Sequence, residues 1–298
     1  MPRWHEPRQN VFPSFGKGKQ EQREKQGIGL AGGTMNRDEI LQKMEELYKS
    51  NGLNCCDEEL IHKKCIRRKE CWTEASIKER GNEINRMSLP YIGDEFKGDL
   101  LCIGLNLNDY GGKDAYYNLI DDKKNDCGAR KFLTQGRIKI HGSLLFHRMS
   151  VYANIILGRY KYENDKILSP DNGILCKSGE HLAKIYSEFI FLNAIKCSPK
   201  YKNSEPFEPM YVNCFNNILC EEIKIIKPKN ILVFHKEISG YIKIKFGCNN
   251  NIRKQKMEYY KTAIENIPVD VYRVIHPSRG NSEKLITELH NLKQEASL

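Results

Sequence analysis

An apolar run that closes on an amide and a thiol, Phe191-Leu192-Asn193-Ala194-Ile195-Lys196-Cys197-Ser198-Pro199, is the stretch of this chain best equipped for chemistry. A buried strand of that kind delivers polar side chains to its C-terminal end, where open α/β sheets bind ligands. A second apolar run, 269–275, leads into His276-Pro277-Ser278, and a third, 100–105, leads into Asn106-Leu107-Asn108-Asp109. Asn193 offers a paired donor and acceptor to the edge of a planar ligand. His276, even as a neutral imidazole, can donate to an oxygen on which negative charge develops. Gly104 permits close backbone approach, and Asn106 and Asp109 add an amide and a carboxylate just beyond it. Each group also has an ordinary structural reading, Asn106 and Asp109 as a turn or capping pair above all.

These side chains need a scaffold, and the apolar runs supply one. Residues 100–105, 189–195, 230–234 and 269–275 read as four buried parallel strands. Amphipathic helices are expected near 141–157, 208–226 and 282–293. Strand and helix alternation with right-handed crossovers implies an α/β fold, a three-layer α/β/α domain with a central four-stranded parallel sheet. Residues 159–180, with the turn signal Ser169-Pro170-Asp171-Asn172-Gly173, read as an insertion. Residues 1–34 read as a flexible basic arm. The domain proper is 35–298, opening with a helical segment, 35–98, whose first helix aligns Ile40, Met44, Leu47 and Tyr48 on one face.

Composition narrows the class. The chain has 298 residues, 40% of them apolar, enough for one good core and too many for wholesale disorder. A formal charge of +10 favours a polyanionic partner, because Lys and Arg contacts to phosphate supply most non-specific DNA affinity. No stretch approaches the length of an apolar membrane span and 1–33 lacks a signal-peptide core, so a cytoplasmic protein, without a membrane partner and monomeric, is expected. Eleven cysteines without a secretion signal point to reduced thiols or metal rather than disulfides. A Lys-rich stretch with interleaved aromatics, from Lys236 through Lys243, Lys245, Arg253, Lys254, Lys256 and Lys261 with Tyr241, Phe246, Tyr259 and Tyr260, suits a nucleic-acid backbone; a solvated helix face is the commoner reading.

The ordered motifs resemble the uracil-DNA glycosylase superfamily, and the middle section is most similar to its iron–sulfur branch. Phe191 to Pro199 resembles that branch's T-N-x-V-K-C-x-P strand end, and Ile225 to Tyr241 resembles its I-x-P-K-x-I-V-x-L-G-x-x-A segment. Val274 to Asn281 resembles the leaving-group loop, and Leu100 to Gly112 resembles the water-activating loop.

The resemblance implies an enzyme that flips a nucleotide out of DNA and hydrolyses its N-glycosidic bond to leave an abasic site. It implies that Asn106, with Asp109, holds the attacking water, that Asn193 reads the flipped base, and that His276 stabilises the departing base. Gly104 would let the backbone close on the substrate, Ser278 would take a phosphate oxygen, and Arg279 would fill the gap left in the duplex. It also implies a structural [4Fe–4S] cluster on Cys197, Cys214 and two upstream cysteines, for which Cys65 and Cys71 are the candidates; a zinc site or ordinary buried thiols are the alternatives. The chain has Leu107-Asn108 where relatives continue with Pro-Gly or Pro-Tyr, and no aromatic in 136–145 where they carry Pro-Phe. Those departures suit a larger base, and some branches of the superfamily excise hypermodified cytosines from phage DNA in antiviral defence. Ordinary uracil repair, a catalytically silent DNA-binding protein and a metal-stabilised interaction protein are the other readings.

Overall fold

The computed structural model describes residues 36–53, 65–80, 90–105, 144–159, 161–163, 166–168, 185, 187–197, 206–276 and 282–297. The chain divides into Met1–Gly33 and Thr34–Leu298, and all the described residues belong to the second unit.

Helix α1 (Arg37–Ser50) begins at Asn36, whose side-chain oxygen accepts from Glu39 N at 2.9 Å while Asn36 N donates to Glu39 Oε2 at 3.1 Å. This reciprocal cap satisfies two backbone donors that the first turn leaves open and stabilises the start by about 1 kcal/mol. Ile40, Met44 and Tyr48, one turn apart, are its buried stripe. Short helices α2 (Arg68–Cys71) and α3 (Glu74–Arg80) follow, then strands β1 (Tyr91–Ile92) and β2 (Leu100–Gly104). Helix α4 (Leu144–Ile156) and a small hairpin, β3 (Lys161–Glu163) with β4 (Lys166–Leu168), precede strand β5 (Ile190–Asn193).

Beyond β5 come helix α5 (Glu208–Cys214), a π-helical turn (Phe215–Leu219) and helix α6 (Cys220–Ile226), one continuous rod with a wide turn in its middle. Lys227, at φ 50°, ends the rod in the left-handed region just ahead of Pro228, which cannot continue a helix. Then follow strand β6 (Asn230–Val233), helix α7 (Lys236–Phe246), strands β7 (Asn249–Lys254), β8 (Met257–Ile264) and β9 (Ile267–Arg273), and helix α8 (Ser282–Ala296). Glu265 and Asn266, both at positive φ, form the two-residue turn between β8 and β9, the backbone that matches hairpin twist.

The strands form one mixed sheet of seven, ordered β1-β5-β2-β6-β9-β8-β7. Neighbours β5, β2, β6 and β9 run parallel, and β1, β8 and β7 join antiparallel. The four-stranded sheet expected from the apolar runs is therefore too small. The missed strands β7 and β8 do not alternate cleanly: along β8, Met257, Glu258, Tyr259 and Tyr260 are all buried, and burial alternates only from Tyr260 through Thr262 to Ile264. Tyr259 and Tyr260 are thus core residues of a strand, not aromatics offered to nucleic acid.

Alternate strand residues enter two separate clusters. Leu101, Ile103, Ile190, Leu192, Ile231, Val233 and Val271 pack with α1, the π turn, α6 and α7. Leu100, Cys102, Phe189, Phe191, Leu232, Phe234 and Tyr272 pack with α4 and α8. With both faces apolar, the central strands read as unbroken hydrophobic runs, which is why they were legible.

Candidate functional site

Parallel strands β5, β2, β6 and β9 end on one edge of the sheet, and that edge carries Gly104, Asn193 and His276. Gly104 closes β2 and stands directly opposite Asn193, which closes β5. A Cβ on Gly104 would lie 2.6 Å from Asn193 Oδ1 and 3.1 Å from Phe191 Cζ. Only glycine lets the Asn193 amide fold across the end of β2. The ladder continues past both strands, Ala194 N donating to Gly104 O and Ile195 N to Leu105 O, so the segment that begins at Asn106 leaves from a fixed point.

Asn193 is buried, and its backbone carbonyl accepts from Lys196 Nζ at 2.8 Å. Lys196 is itself only 2% exposed and pairs with Glu222 Oε1 at 2.6 Å, while Tyr48 donates its hydroxyl to the same carboxylate oxygen. The Lys196 ammonium also lies 5.8 Å from the centre of the Tyr48 ring. Burying a lysine is costly unless its charge is paired and its protons placed. Here the pair ties the β5 exit to α6 and α1, and thereby fixes the peptide from which the Asn193 amide projects. Sequence reading passed over Lys196 and Glu222; the signal was a lysine inside the apolar segment Ala194-Ile195-Lys196-Cys197.

At the other end of the same edge, His276 follows β9, half-buried, its ring edge-on to Phe234 at 6.3 Å between centres. Between it and β2, His235 follows β6; its ring stacks on Tyr211 at 6.0 Å and its Nδ1 lies 3.0 Å from Glu237 Oε2. His235 is a second imidazole that sequence reading did not single out. Across the parallel strands, β5 and β9 are three spacings apart, about 14 Å. Asn106, Asp109, Ser278 and Arg279 lie outside the described residues, as does Leu107.

Beside this edge three of the four candidate thiols, Cys71, Cys197 and Cys214, meet, while Cys65 packs against the cluster that holds α1. Helix α2 packs on α5, and Cys71, Trp72, Ile195, Phe207, Met210 and Cys214 share one apolar cluster against which Cys197 packs. Trp72 meets Phe207 edge-on at 5.3 Å. Burial, first of all, raises the thiol pKa of Cys65, Cys71, Cys197 and Cys214, the last to about 12. Three of them also feel the charge of another of the four: Cys65 acts on Cys71; Cys214, Cys65 and Cys71 act on Cys197; and Cys71 and Cys65 act on Cys214. Opposing the rise, every one of these sulfurs has an N–H that favours its thiolate. These are the Arg67 backbone for Cys65, the Asn213 amide at 3.4 Å for Cys71, the Trp72 indole for Cys197 and the Lys196 backbone for Cys214. Trp72 Nε1 is buried without a partner at hydrogen-bond length among the described residues, so its alignment on Cys197 is loose.

As folded, no group of three or more His, Cys, Asp or Glu among the described residues closes around a single metal ion. The donor set nevertheless fits a cluster that takes one thiolate per iron: sulfurs in an apolar shell with N–H groups directed at them. Cys214 also sits at the start of the π turn, a distortion that recurs at functional sites.

Compared with protein-family models and with curated protein sequences, the chain finds no match in either.

Proposed function

We propose that the chain is a monofunctional DNA glycosylase, similar to the uracil-DNA glycosylase superfamily, that hydrolyses the N-glycosidic bond of a flipped pyrimidine and leaves an abasic site. The observation that carries this reading is the close approach of Gly104 to the Asn193 amide on the edge from which His276 also projects. The strand order supports a three-layer α/β/α architecture with the four parallel strands at its centre and β1, β8 and β7 added at its margins.

In this mechanism the base enters the gap above Gly104 and presents its edge to Asn193. The buried amide pairs with it, because a site built to hydrogen-bond one edge leaves its own groups unpaired with any other. As the glycosidic bond breaks, positive charge grows on the sugar and negative charge on the base. His276 donates to the base oxygen where that negative charge collects. Asn106 orients the attacking water and Asp109 takes its proton. Lys196, held by Glu222, keeps the Asn193 peptide rigid, so that orientation is set before the substrate arrives.

Cys65, Cys71, Cys197 and Cys214 would hold a [4Fe–4S] cluster, which when bound supplies a cross-link between the α2 segment and the β5 exit rather than a step of the reaction. The proposed substrate is a hypermodified cytosine of phage DNA, consistent with an antiviral role. Leu107 and the aromatic-free 136–145 stretch depart from the uracil-fitting pattern and support that choice.

Duplexes carrying uracil, hydroxymethylcytosine or glucosylated hydroxymethylcytosine, incubated with the protein and then treated with alkali, test the proposal. Strand breaks at a modified cytosine, at least as fast as at uracil, are expected. Breaks at uracil alone would return the protein to uracil repair, and none at any base would remove the enzymatic reading.

A further inference from the structure

The topology splits the Lys-rich stretch into two groups with different fates. Helix α7 starts on the site edge with Lys236 and carries Lys245 away to the opposite edge, where Lys227 and Lys229 also stand, just ahead of β6. Strand β7 then runs back, so that Arg253 and Lys254 return to the site edge, and β8 leaves from it. In the register, Arg253 and Lys254 face Glu258 and Met257, and Glu258 faces Arg273, three residues before His276. The Gln255-Lys256 turn therefore projects from the edge that bears His276, and β7 is two strand spacings from β9, about 10 Å.

The local charge is positive even after its ion pairs are counted. Glu258 is buried and receives three cations, Lys243 at 2.5 Å, Arg253 at 3.2 Å and Arg273 at 3.4 Å. Lys254 reaches Glu295 of α8, which anchors the hairpin to the body of the domain. Lys236, Arg253 and Lys256 are exposed. A hairpin whose Glu258 is buried and whose Arg253 and Lys256 are exposed suits a row of phosphates, for which Lys and Arg contacts position the partner without reading sequence.

We infer that the β7–β8 hairpin, with Lys236, is a docking surface for the phosphate backbone of DNA beside the pocket. The inference rests on the DNA-directed function proposed above and adds the element that holds the duplex. It gives the two strands appended to the parallel core a task that the core alone does not perform.

Anisotropy of a fluorescent unmodified duplex, titrated with the full chain over a salt series, reads this directly. Every cation withdrawn from a phosphate reduces the slope of log affinity against log salt by about 0.9. The variant Lys236→Gln/Arg253→Gln/Lys256→Gln should therefore have a slope shallower by about 2 to 3 and bind roughly ten- to a hundred-fold more weakly near physiological salt. Arg253→Gln leaves Glu258 with Lys243 and Arg273, so the fold is retained, which circular dichroism checks. The charge-matched control Lys227→Gln/Lys229→Gln/Lys245→Gln should keep the wild-type slope. Equal weakening in both variants, or an unchanged slope in the first, would overturn the inference, as would tighter binding of an RNA duplex than of DNA. A wild-type chain that binds DNA through this hairpin yet releases no base would remove the glycosylase reading and leave the docking surface standing.

Discussion

Gly104 and Asn193 meet across the β2–β5 ladder so closely that the smallest side chain at Gly104 would collide with the Asn193 amide oxygen at 2.6 Å.

Gly104→Ala should therefore act on chemistry more than on folding. The added methyl must displace the amide or the Phe191 ring, at a stability cost of about 1 to 3 kcal/mol. Single-turnover excision is expected to fall by at least about tenfold as Asn193 leaves its pairing geometry, while affinity for unmodified DNA stays the same. Urea titration and single-turnover rates on the same preparation separate the two effects, and an unchanged rate would detach Gly104 from the pocket.

Lys196→Met should be among the most damaging single changes, because it leaves the fully buried Glu222 carboxylate without its cation. Breaking such a pair typically costs about 3 to 5 kcal/mol. The double variant Lys196→Met/Glu222→Gln removes both charges, keeps an acceptor for Tyr48, and should recover much of that stability in a denaturant-based double-mutant cycle. Purely additive effects would mean that the two side chains do not act as a pair.

The strands that carry the site were legible because Leu100, Ile190 and Ile231 sit in unbroken apolar runs buried on both faces, and Val271 in a run interrupted only by Asp270 and Arg273. Helix α1 was legible for the complementary reason: Ile40, Met44 and Tyr48 recur at one-turn spacing behind an Asn-x-x-Glu cap. Two features were hidden. Strand β7 is largely exposed and polar, three asparagines ahead of Ile252, Arg253 and Lys254, so it carries no hydrophobic signal. The Lys196–Glu222–Tyr48 contact joins three distant segments, and only folding reveals that a lysine in an apolar strand end meets a carboxylate on a helix. His235 was missed because it follows β6 where the resembled pattern has glycine.

Acid should loosen the outer strands first. Burial works against ionisation of Glu258, but the Lys243 and Arg253 contacts outweigh it, so its carboxyl ionises below the ordinary value of 4.5. A depressed folded value means the charge stabilises the fold fully above the unfolded value and that this contribution disappears as pH falls through the folded one. Melting temperature measured from pH 7 down to pH 3 should therefore drop more steeply in wild type than in Glu258→Gln below about pH 4.5. Parallel curves would show that the three cations do not hold this carboxylate charged.

If the four thiols bind a cluster, protein purified without oxygen should be brown and carry about four irons per chain. Cys214→Ser should lose that colour and iron and lower the melting temperature, because the link between α2 and the β5 exit goes with it. Colourless anaerobic protein with neither iron nor zinc, as stable as the serine variant, would leave the thiols as packing groups.

The central claim is that a base is released at the edge shared by Asn193 and His276, and mass spectrometry of the free base tests it most directly. Wild-type protein incubated with DNA carrying glucosylated hydroxymethylcytosine should release that base intact. His276→Ala, lacking one donor to the developing charge, should release it roughly 100 to 1,000 times more slowly at unchanged DNA affinity, and Asn193→Ala should release almost none. Wild-type protein that binds such DNA but frees no base, from it or from DNA containing uracil or hydroxymethylcytosine, would contradict the account.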